Sequence, residues 1–250
     1  MTSRQGPTRG SASVAVIIPA HNEERLLPAC LAAVRTAAGH PEVAGSRVVV
    51  VVAADSCTDA TSEVARQAGA LTVDVDARSA GAARAAAART ALEILGRDDV
   101  WIASTDADSV VPEHWLDFQL SRAAQGWEAV VGTVVLDRPA LDSRRLAVLH
   151  QHLYEASRPP GGHTWHHPHV HGANLGLTAR AYTEAGGFPP VAVGEDHALV
   201  RSLQRTGHRI LRTPDCAVTT SGRLRPRARG GFGDYLARLA AQESAVNGPR

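Results

Sequence analysis

The first half of the chain alternates short apolar runs with segments of helical periodicity. Residues 14–18 and 48–52 are continuous apolar runs, and a run without polar alternation predicts a strand that is covered on both faces. Residues 71–75 and 100–104 predict two further strands. Helical segments separate the strands, and this alternation is typical of βαβ units around a parallel sheet.

Three helices are predicted between these strands. The first begins near Pro28, because proline is tolerated in the first turn of a helix. The second is capped by Thr58 or Asp59, and Gly69 closes it. The third is the Ala-rich segment 79–95, with a glycine just beyond it.

The second half of the chain is less regular. Helices are predicted over residues 112–124, 141–156 and 195–206. Strands are predicted over residues 129–136, 174–178, 208–211 and 217–220, with a Pro/Gly/His-rich loop at 158–171. We find no internal repeat and no clear linker, so the predicted fold class is α/β with a single domain.

Composition indicates the cellular environment of the protein more than its function. The 250 residues are 44% hydrophobic and 20% charged, as in an ordinary globular protein, and the net charge of +1 favours no nucleic-acid partner. Cys30, Cys57 and Cys216 are far apart and odd in number, which predicts free thiols in a reducing compartment. The sequence shows no signal peptide and no apolar run of about 20 residues, so we expect a cytoplasmic protein without a transmembrane segment. Peripheral contact with a membrane stays compatible with this.

Polar turns follow three of the predicted strands at their carboxyl ends. They contain Asn22 and Glu23, then Asp55, then Asp106 and Asp108. Ligands of open α/β sheets bind outside the carboxyl ends of the strands, so these turns predict one shared site. Asp106 and Asp108 lie two residues apart, and carboxylates on one side of an extended segment suit Mg²⁺ or Mn²⁺. Loop aspartates at this spacing also arise as turn residues.

Further motifs extend this pattern through residues 13–221. They are Ile-Ile-Pro-Ala-His-Asn-Glu-Glu at 17–24, Val-Ala-Ala-Asp-Ser-Cys-Thr-Asp-Ala-Thr at 52–61, Thr-Asp-Ala-Asp at 105–108, His-Gly-Ala-Asn-Leu-Gly at 171–176, Gly-Gly-Phe-Pro at 186–189 and Gly-Glu-Asp at 194–196. In this order and spacing the chain resembles the family 2 glycosyltransferases, which have the GT-A fold. The resemblance implies a hexosyltransferase-like enzyme that moves a sugar from a UDP- or GDP-sugar to a hydroxyl acceptor with inversion.

The resemblance also implies a domain organisation. Residues 13–222 would form one GT-A domain, with a Rossmann-like nucleotide-sugar-binding half at 13–110 around a mostly parallel sheet. A less regular half at 111–222 would bind the acceptor, which is a small molecule, a glycan or a lipid carrier. Residues 1–12 are expected to form a disordered tail, and residues 223–250 a basic C-terminal extension.

On the donor side, the resemblance implies a nucleoside pocket formed by Pro19, His21, Glu23 and Asp55. A carboxylate there would accept hydrogen bonds from the base or the ribose. Arg84 matches a position at which the family often has a basic residue near the nucleotide.

Across from the nucleoside, the resemblance implies metal and catalytic roles. Asp106 would face the nucleotide and Asp108 would be the main protein ligand of the metal, which Asp106 would share. Asp196 would be the general base that takes the proton of the attacking hydroxyl, and Glu195 would position it or raise its pKa. Acidic residues are also favoured at the N-terminus of a helix, so Glu195 and Asp196 have a structural interpretation that is compatible with the catalytic one.

Two departures from the family pattern matter. The Gln-x-x-Arg-Trp motif and membrane helices of processive synthases are absent from the sequence, which favours a single addition. Ala54 stands where the family frequently has a first aspartate, and this leaves the nucleotide base open.

Two segments keep more than one interpretation. The histidines at 163, 166, 167, 169 and 171 predict a polar, partly mobile lid more than a transition-metal site, because no fixed ligand spacing is visible. The arginines at 223, 225, 227 and 229 suit either a clamp on a donor diphosphate or a solvated tail, with Arg223 and Arg227 the better candidates.

The turn after the first predicted strand distinguishes between competing functions. A dinucleotide-dependent oxidoreductase needs a Gly-x-Gly-x-x-Gly segment after the first strand, and residues 19–23 contain no glycine. A sugar nucleotidyltransferase, or a non-catalytic nucleotide- or sugar-binding protein on the same fold, remains as an alternative.

Overall fold

The computed structural model describes residues 13–137, 141–159, 165–191, 193–223 and 239, with side chains described for all of these except 141–147. The predicted tail at 1–12 and the extension beyond Arg223 lie outside this part of the chain, apart from Leu239. The same holds for His163 and for the arginines at 225, 227 and 229.

The described residues fold into two sheets and the helices that cover them. The strands are β1 (Ser13–Ala20), β2 (Val48–Asp55), β3 (Leu71–Val75), β4 (Val100–Ser104), β5 (Ser109–Val110), β6 (Ala129–Val131), β7 (Val134–Leu136), β8 (Leu175–Thr178), β9 (Ile210–Arg212) and β10 (Val218–Thr220). The helices are α1 (Leu27–Ala38), α2 (Thr61–Gln67), α3 (Ala80–Leu95), α4 (Trp115–Ala124), α5 (Leu141–Glu155), α6 (Ala179–Glu184) and α7 (Glu195–Arg205).

The central sheet has seven strands in the order β3-β2-β1-β4-β8-β6-β9. The first four strands pair in parallel, whereas β8 runs antiparallel to both of its neighbours. A smaller sheet of three strands has the order β5-β10-β7. The predicted α/β fold class with a mostly parallel central sheet is therefore confirmed.

The core lies on both faces of the central sheet, which explains the continuous apolar runs. Along β1, Val14, Val16 and Ile18 join one apolar cluster, and Ala15 and Ile17 join the other. Helices α1 and α4 cover the first cluster, and α3 and α7 cover the second. Because both faces of β1 are dry, its sequence has no polar alternation.

The elements within residues 13–110 lie close to their predicted bounds. The helix predicted at 79–95 is α3, which begins after Ser79, and the Ser79 side chain accepts a hydrogen bond from the Ala82 N–H. It ends at Gly96, whose φ of 84° suits glycine. Strands β3 and β4 have the predicted bounds.

The strand predicted over 129–136 is wrong, because it is two strands in two different sheets. The break falls at Gly132 and Thr133, between β6 and β7. Gly132 donates its N–H to the Asn174 carbonyl at 2.9 Å, and the Asn174 amide group fills the space that a Cβ at Gly132 would need. Hydrophobicity alone does not reveal this break, since its cause is a polar side chain 42 residues further along the chain.

Other bounds after residue 110 also differ from the prediction. The helix predicted from Pro112 begins at Trp115, and the Pro112 carbonyl accepts the Trp115 N–H instead of continuing a helix. Asn174, predicted in a strand, ends a short 3-10 turn before β8. The two-residue strand β5 and the short helix α6 were not predicted.

Two expectations drawn from the composition concern the cysteines and membrane-spanning helices. Cys30, Cys57 and Cys216 are all free thiols, as predicted. None of the helices in the described ranges has the length and apolar character needed to cross a membrane.

Candidate functional site

Three loops meet at one edge of the central sheet. Strands β1, β2 and β4 are parallel neighbours, so the segments that follow them emerge side by side. The first two loops are tied together by hydrogen bonds: the Thr58 N–H donates to the Asn22 side-chain oxygen at 2.7 Å, and the Glu23 N–H donates to the Thr61 hydroxyl at 2.7 Å. His21 Nδ1 lies 2.7 Å from the Asp55 carbonyl oxygen. These bonds give the edge a fixed shape.

Asp55, at the end of β2, is held by backbone donors. Its Oδ1 accepts the N–H groups of Ala77 and Arg78, both at 2.8 Å, and its Oδ2 accepts the Ser79 N–H at 2.6 Å. Only 4% of Asp55 is exposed. The carboxylate therefore fixes the loop between β3 and α3, and little of it faces solvent at the predicted nucleoside pocket.

Asp106 and Asp108 lie in the turn between β4 and β5. The Ser109 N–H donates to the Asp106 carbonyl at 3.0 Å, and the Cys30 thiol donates to the same oxygen at 3.3 Å. The Asp106 side chain is 33% exposed and that of Asp108 is 14% exposed. Burial, together with the nearby charge of Asp106, raises the pKa of Asp108 to about 6. Two carboxylates thus share one small region of negative charge.

Arg84 is buried below this turn and connects it to the start of α7. Its guanidinium donates to Asp106 and to Glu195, and its Nε donates to the Ser104 hydroxyl at 3.2 Å. The Arg84 side chain is 4% exposed. Burial raises the pKa of Glu195, while the charge of Arg84 opposes that rise. A single buried cation therefore joins Asp106, after β4, to Glu195, at the start of α7.

Asp196, next to Glu195, points to the 3-10 turn before β8. Its Oδ2 accepts the Gly172 N–H at 2.9 Å, and its Oδ1 accepts the N–H of His197 at 2.7 Å. The Gly172 carbonyl in turn accepts the Ser104 hydroxyl at 2.7 Å. Asp196 is consequently oriented by two backbone N–H groups.

Arg223 closes the opposite rim of the site. Its guanidinium forms a two-point ion pair with Glu23, with nitrogen–oxygen distances of 3.1 and 2.5 Å. The same guanidinium lies 2.9 Å from Asp108 Oδ2. Asp108 thus already binds a cationic group. The carboxylates of Asp106 and Asp108 therefore suit a positively charged ligand.

Three histidines of the 163–171 loop, His167, His169 and His171, pack against aromatic rings from α5 and the loop. We call this set the ring array: His150, Tyr154, Trp165, His167, His169 and His171. His169 stacks on Tyr154 with 3.6 Å between ring centroids. His167 is buried, and its Nε2 lies 3.0 Å from the Val131 carbonyl oxygen. Burial lowers the pKa of His171 to about 3 and that of His150 to about 4.

A transition-metal site in this loop gains no support. Within the described residues, which leave out His163, no group of three or more His, Cys, Asp or Glu side chains is arranged to hold a metal ion. The pair Asp106 and Asp108 is a different case, because Mg²⁺ and Mn²⁺ sites in nucleotide-dependent enzymes commonly use one or two carboxylates and take further oxygens from the substrate phosphates.

The structure thus assembles the predicted residues in two groups. Glu23, Asp106 and Asp108 lie at the open edge, and Arg84 joins that edge to Glu195. Sequence reasoning missed Ser104, Gly172 and Asn174 as positioning groups, and it missed the partners of Arg223. In the sequence these residues appear as a serine at a strand end and as the glycine and asparagine of the motif at 171–176. Neither feature indicates which residues they contact.

Comparison with known proteins now identifies relatives of this arrangement. The family model described as "Glycosyltransferase like family 2" matches residues 11–242. Among curated proteins, none matches the sequence significantly.

Solved structures share the fold. The crystal structure of S. aureus TarS 1-349 in complex with UDP-GlcNAc has a TM-score of 0.61 and 14% identity, covering 96% of this chain and 68% of that chain. The mannosyltransferase PcManGT from Pyrobaculum calidifontis, in complex with GDP-Man and Mn2+, has a TM-score of 0.61 and 21% identity over 95% of this chain and 76% of that chain. Glucosyl-3-phosphoglycerate synthase from Mycobacterium tuberculosis, in complex with Mn2+ and UDP-glucose, has a TM-score of 0.55 and 18% identity over 94% and 77%.

These structures establish the fold as GT-A. At such identities they do not carry over a substrate. The chain also spans only 40% of a longer TarS structure that it matches.

Proposed function

Because the chain belongs to glycosyltransferase-like family 2 and is a glycosyltransferase, we propose that it transfers a sugar from a UDP- or GDP-sugar to a hydroxyl acceptor with inversion. The relatives with bound UDP-GlcNAc, GDP-Man and UDP-glucose support a nucleotide-sugar donor. They leave open which base this chain prefers.

The observation that carries the proposal is the link made by Arg84. It joins Asp106, on the donor side, to Glu195, which adjoins the proposed base Asp196. An inverting transfer needs the leaving group and the base on opposite faces of one anomeric carbon. A shared buried cation fixes Asp106 relative to the start of α7, where Asp196 follows Glu195. We therefore assign Arg84 to positioning rather than to direct contact with the nucleotide.

We propose that Asp106 and Asp108 hold a Mg²⁺ or Mn²⁺ ion together with the donor diphosphate. When bound, such an ion neutralises charge that develops on the departing nucleoside diphosphate. The two relatives solved with Mn2+ make this cofactor plausible. Asp108 is the better ligand, since Asp106 is bound by the buried Arg84, whereas the arginine that contacts Asp108 is the partly exposed Arg223.

Asp196 acts as the general base in this proposal. The acceptor hydroxyl gives its proton to an Asp196 oxygen as a new bond forms between the hydroxyl oxygen and the anomeric carbon. The bond from that carbon to the diphosphate breaks, and its electron pair leaves with the nucleotide. The Gly172 N–H keeps Asp196 oriented, and Glu195 lies beside it without taking the proton.

Pro19, His21, Glu23 and Asp55 are proposed to surround the nucleoside. Asp55 contributes mainly by fixing the loop at 77–79, since three N–H groups already bind its carboxylate. The acceptor is a small molecule, a glycan or a lipid carrier, and we propose a cytoplasmic location.

The decisive experiment combines binding with product analysis. We would measure the thermal shift produced by UDP-, GDP- and dTDP-sugars with Mn²⁺, in the parent protein and in Asp108→Ala, and then determine the anomeric configuration of any product by NMR. We expect a metal-dependent shift with one nucleotide, lost in Asp108→Ala. Asp196→Asn should retain that shift while kcat falls by about 10³-fold, and the exposed Glu113→Gln serves as control.

Two outcomes would contradict parts of the proposal. A product with retained configuration would exclude the role of Asp196 as base for direct displacement. Donor binding without turnover on any acceptor tested would favour a non-catalytic nucleotide- or sugar-binding protein. A sugar nucleotidyltransferase has no support from the family match.

A further inference from the structure

The Arg223 guanidinium occupies the position beside Asp108 that a metal ion would need. Its terminal nitrogen is 2.9 Å from Asp108 Oδ2, the oxygen-bearing group that we propose as the main metal ligand. The same guanidinium is bound at both oxygens of Glu23, whose side chain is 5% exposed. The positive charge is thus shared between two carboxylates on the rim of the donor site.

A guanidinium and a divalent cation compete for the same carboxylate. Both need its lone pairs, and their like charges repel at close range in a partly desolvated site. The free protein therefore reaches its charge balance with Arg223, and a metal ion must displace a partner that is already in place.

The donor diphosphate changes this competition. It supplies the phosphate oxygens that a guanidinium binds in a two-point geometry, and it also supplies ligands for the metal. Arg223 can then exchange its carboxylate partners for phosphate oxygens while remaining at the same rim.

We propose that Arg223 is a donor-phosphate-binding residue that masks Asp108 in the free protein, and that the nucleoside diphosphate, rather than the metal alone, releases it. This inference rests on the proposed function, because it assigns the metal to Asp108. It predicts that removing Arg223 has opposite effects on two affinities.

The test uses Mn²⁺ alone and then UDP or GDP with Mn²⁺. Free Mn²⁺ is counted by electron paramagnetic resonance, and nucleotide binding is measured by calorimetry. In Arg223→Met, we expect Mn²⁺ to bind the nucleotide-free protein about tenfold more tightly, since a competing charge is gone. The affinity for the nucleotide in the presence of Mn²⁺ should fall by about tenfold or more, because a charge-assisted contact to phosphate is lost.

Three variants make the outcome unambiguous. Arg223→Lys keeps the charge but not the two-point geometry, so it should give intermediate values for both affinities. Arg205→Met, an exposed arginine on α7, should change neither. Asp108→Asn should abolish Mn²⁺ binding in the nucleotide-free protein, and thermal unfolding confirms that each variant is folded.

The failures are distinguishable. If Asp108→Asn leaves Mn²⁺ binding intact, the metal assignment fails and the inference fails with it. If Asp108→Asn abolishes binding but Arg223→Met leaves the Mn²⁺ affinity unchanged or lower, only the masking role of Arg223 is overturned. A higher Mn²⁺ affinity with an unchanged nucleotide affinity overturns the phosphate-binding role.

Discussion

Two regions of the site use arginine to hold carboxylates, and they do so under different conditions. In the interior, Arg84 is 4% exposed and its guanidinium is fully engaged with Asp106, Glu195 and Ser104. At the rim, Arg223 is 27% exposed and contacts Glu23 and Asp108. Water can replace the partners of Arg223 but not those of Arg84. The contacts of Arg84 are thus part of the packed interior. The contacts of Arg223 lie where water or a ligand can replace its carboxylate partners.

Arg84→Met should give the largest effect and would break the interior region. It leaves the buried Glu195 without its cation, and loss of one partner of a buried ion pair costs about 3–5 kcal/mol. Urea unfolding should show this decrease in the free energy of unfolding, with Arg89→Met on the exposed face of the same helix as the control.

A second substitution sharpens this test. Arg84→Met combined with Glu195→Gln should recover part of the lost stability, because the uncompensated charge is removed. If the double variant is no more stable than Arg84→Met, the buried ion pair is not the source of the loss.

Asp55→Asn tests how much a carboxylate that is bound by backbone N–H groups contributes to stability, for comparison with the carboxylates bound by arginine. An amide group in place of Oδ2 would set an N–H donor against the Ser79 N–H, which then loses its acceptor. A buried N–H without a partner costs about 1–3 kcal/mol. Chemical unfolding should show this loss, and Asp74→Asn, at an exposed position of β3, should not. Equal losses for the two variants would contradict the proposed role of Asp55.

Acid should act on the ring array, where burial lowers the pKa of two histidines. The pKa values of His150 and His171 are lowered to about 4 and about 3, so both rings are neutral in the folded protein while the unfolded chain takes up protons below about pH 6.5. The unfolded state then binds more protons, and stability falls as the pH falls from about 6.5 towards 4.

The expected slope is about 1.4 kcal/mol per pH unit for each such histidine. Unfolding at pH 7.5, 6.0 and 5.0 measures it. His171→Gln should flatten the slope, whereas His166→Gln, at an exposed position, should leave it unchanged. A slope that His171→Gln does not reduce would remove His171 from the explanation.

Arg223→Met should have the smallest effect on stability. Because removal of the 27% exposed Arg223 side chain opens Glu23 and Asp108 to water, we expect a change below about 1 kcal/mol in the free energy of unfolding. The contrast with Arg84→Met is the direct test of the two regions. A loss as large as that of Arg84→Met would make Arg223 a structural residue and would argue against its exchange.

The fold of residues 13–110 could be predicted from the sequence because the signals that determine its elements are local. Residues 71–75 and 100–104 have the predicted bounds, and α3 starts one residue inside its prediction. Apolar runs, a serine cap and a terminal glycine are each readable within a few residues.

The fold after residue 110 depends on contacts between residues that are far apart in the chain. Asn174 donates to the carbonyls of Thr133 and Cys216 and accepts the Trp115 indole N–H. These bonds end β6 and place the 3-10 turn, and no pattern near residues 132 or 174 contains that information.

The same limit applies to the site. The sequence identified Arg84, Glu195 and Asp196 as candidates through a family resemblance, but it could not show that a buried arginine connects two of the motifs. It also placed Arg223 in a basic run without indicating Glu23 as its partner, since 200 residues separate them.

The small sheet determines how far Arg223 can move. Thr220 in β10 is in register with Ser109 in β5, and the Ser221 N–H donates to the Asp108 carbonyl at 3.2 Å. Only Gly222 separates this anchored backbone from Arg223. A group tethered so closely competes at an effective concentration on the order of millimolar or more. If the proposed exchange takes place, Arg223 stays within reach of Asp108 when the nucleotide leaves, and the site can reset without a diffusive encounter.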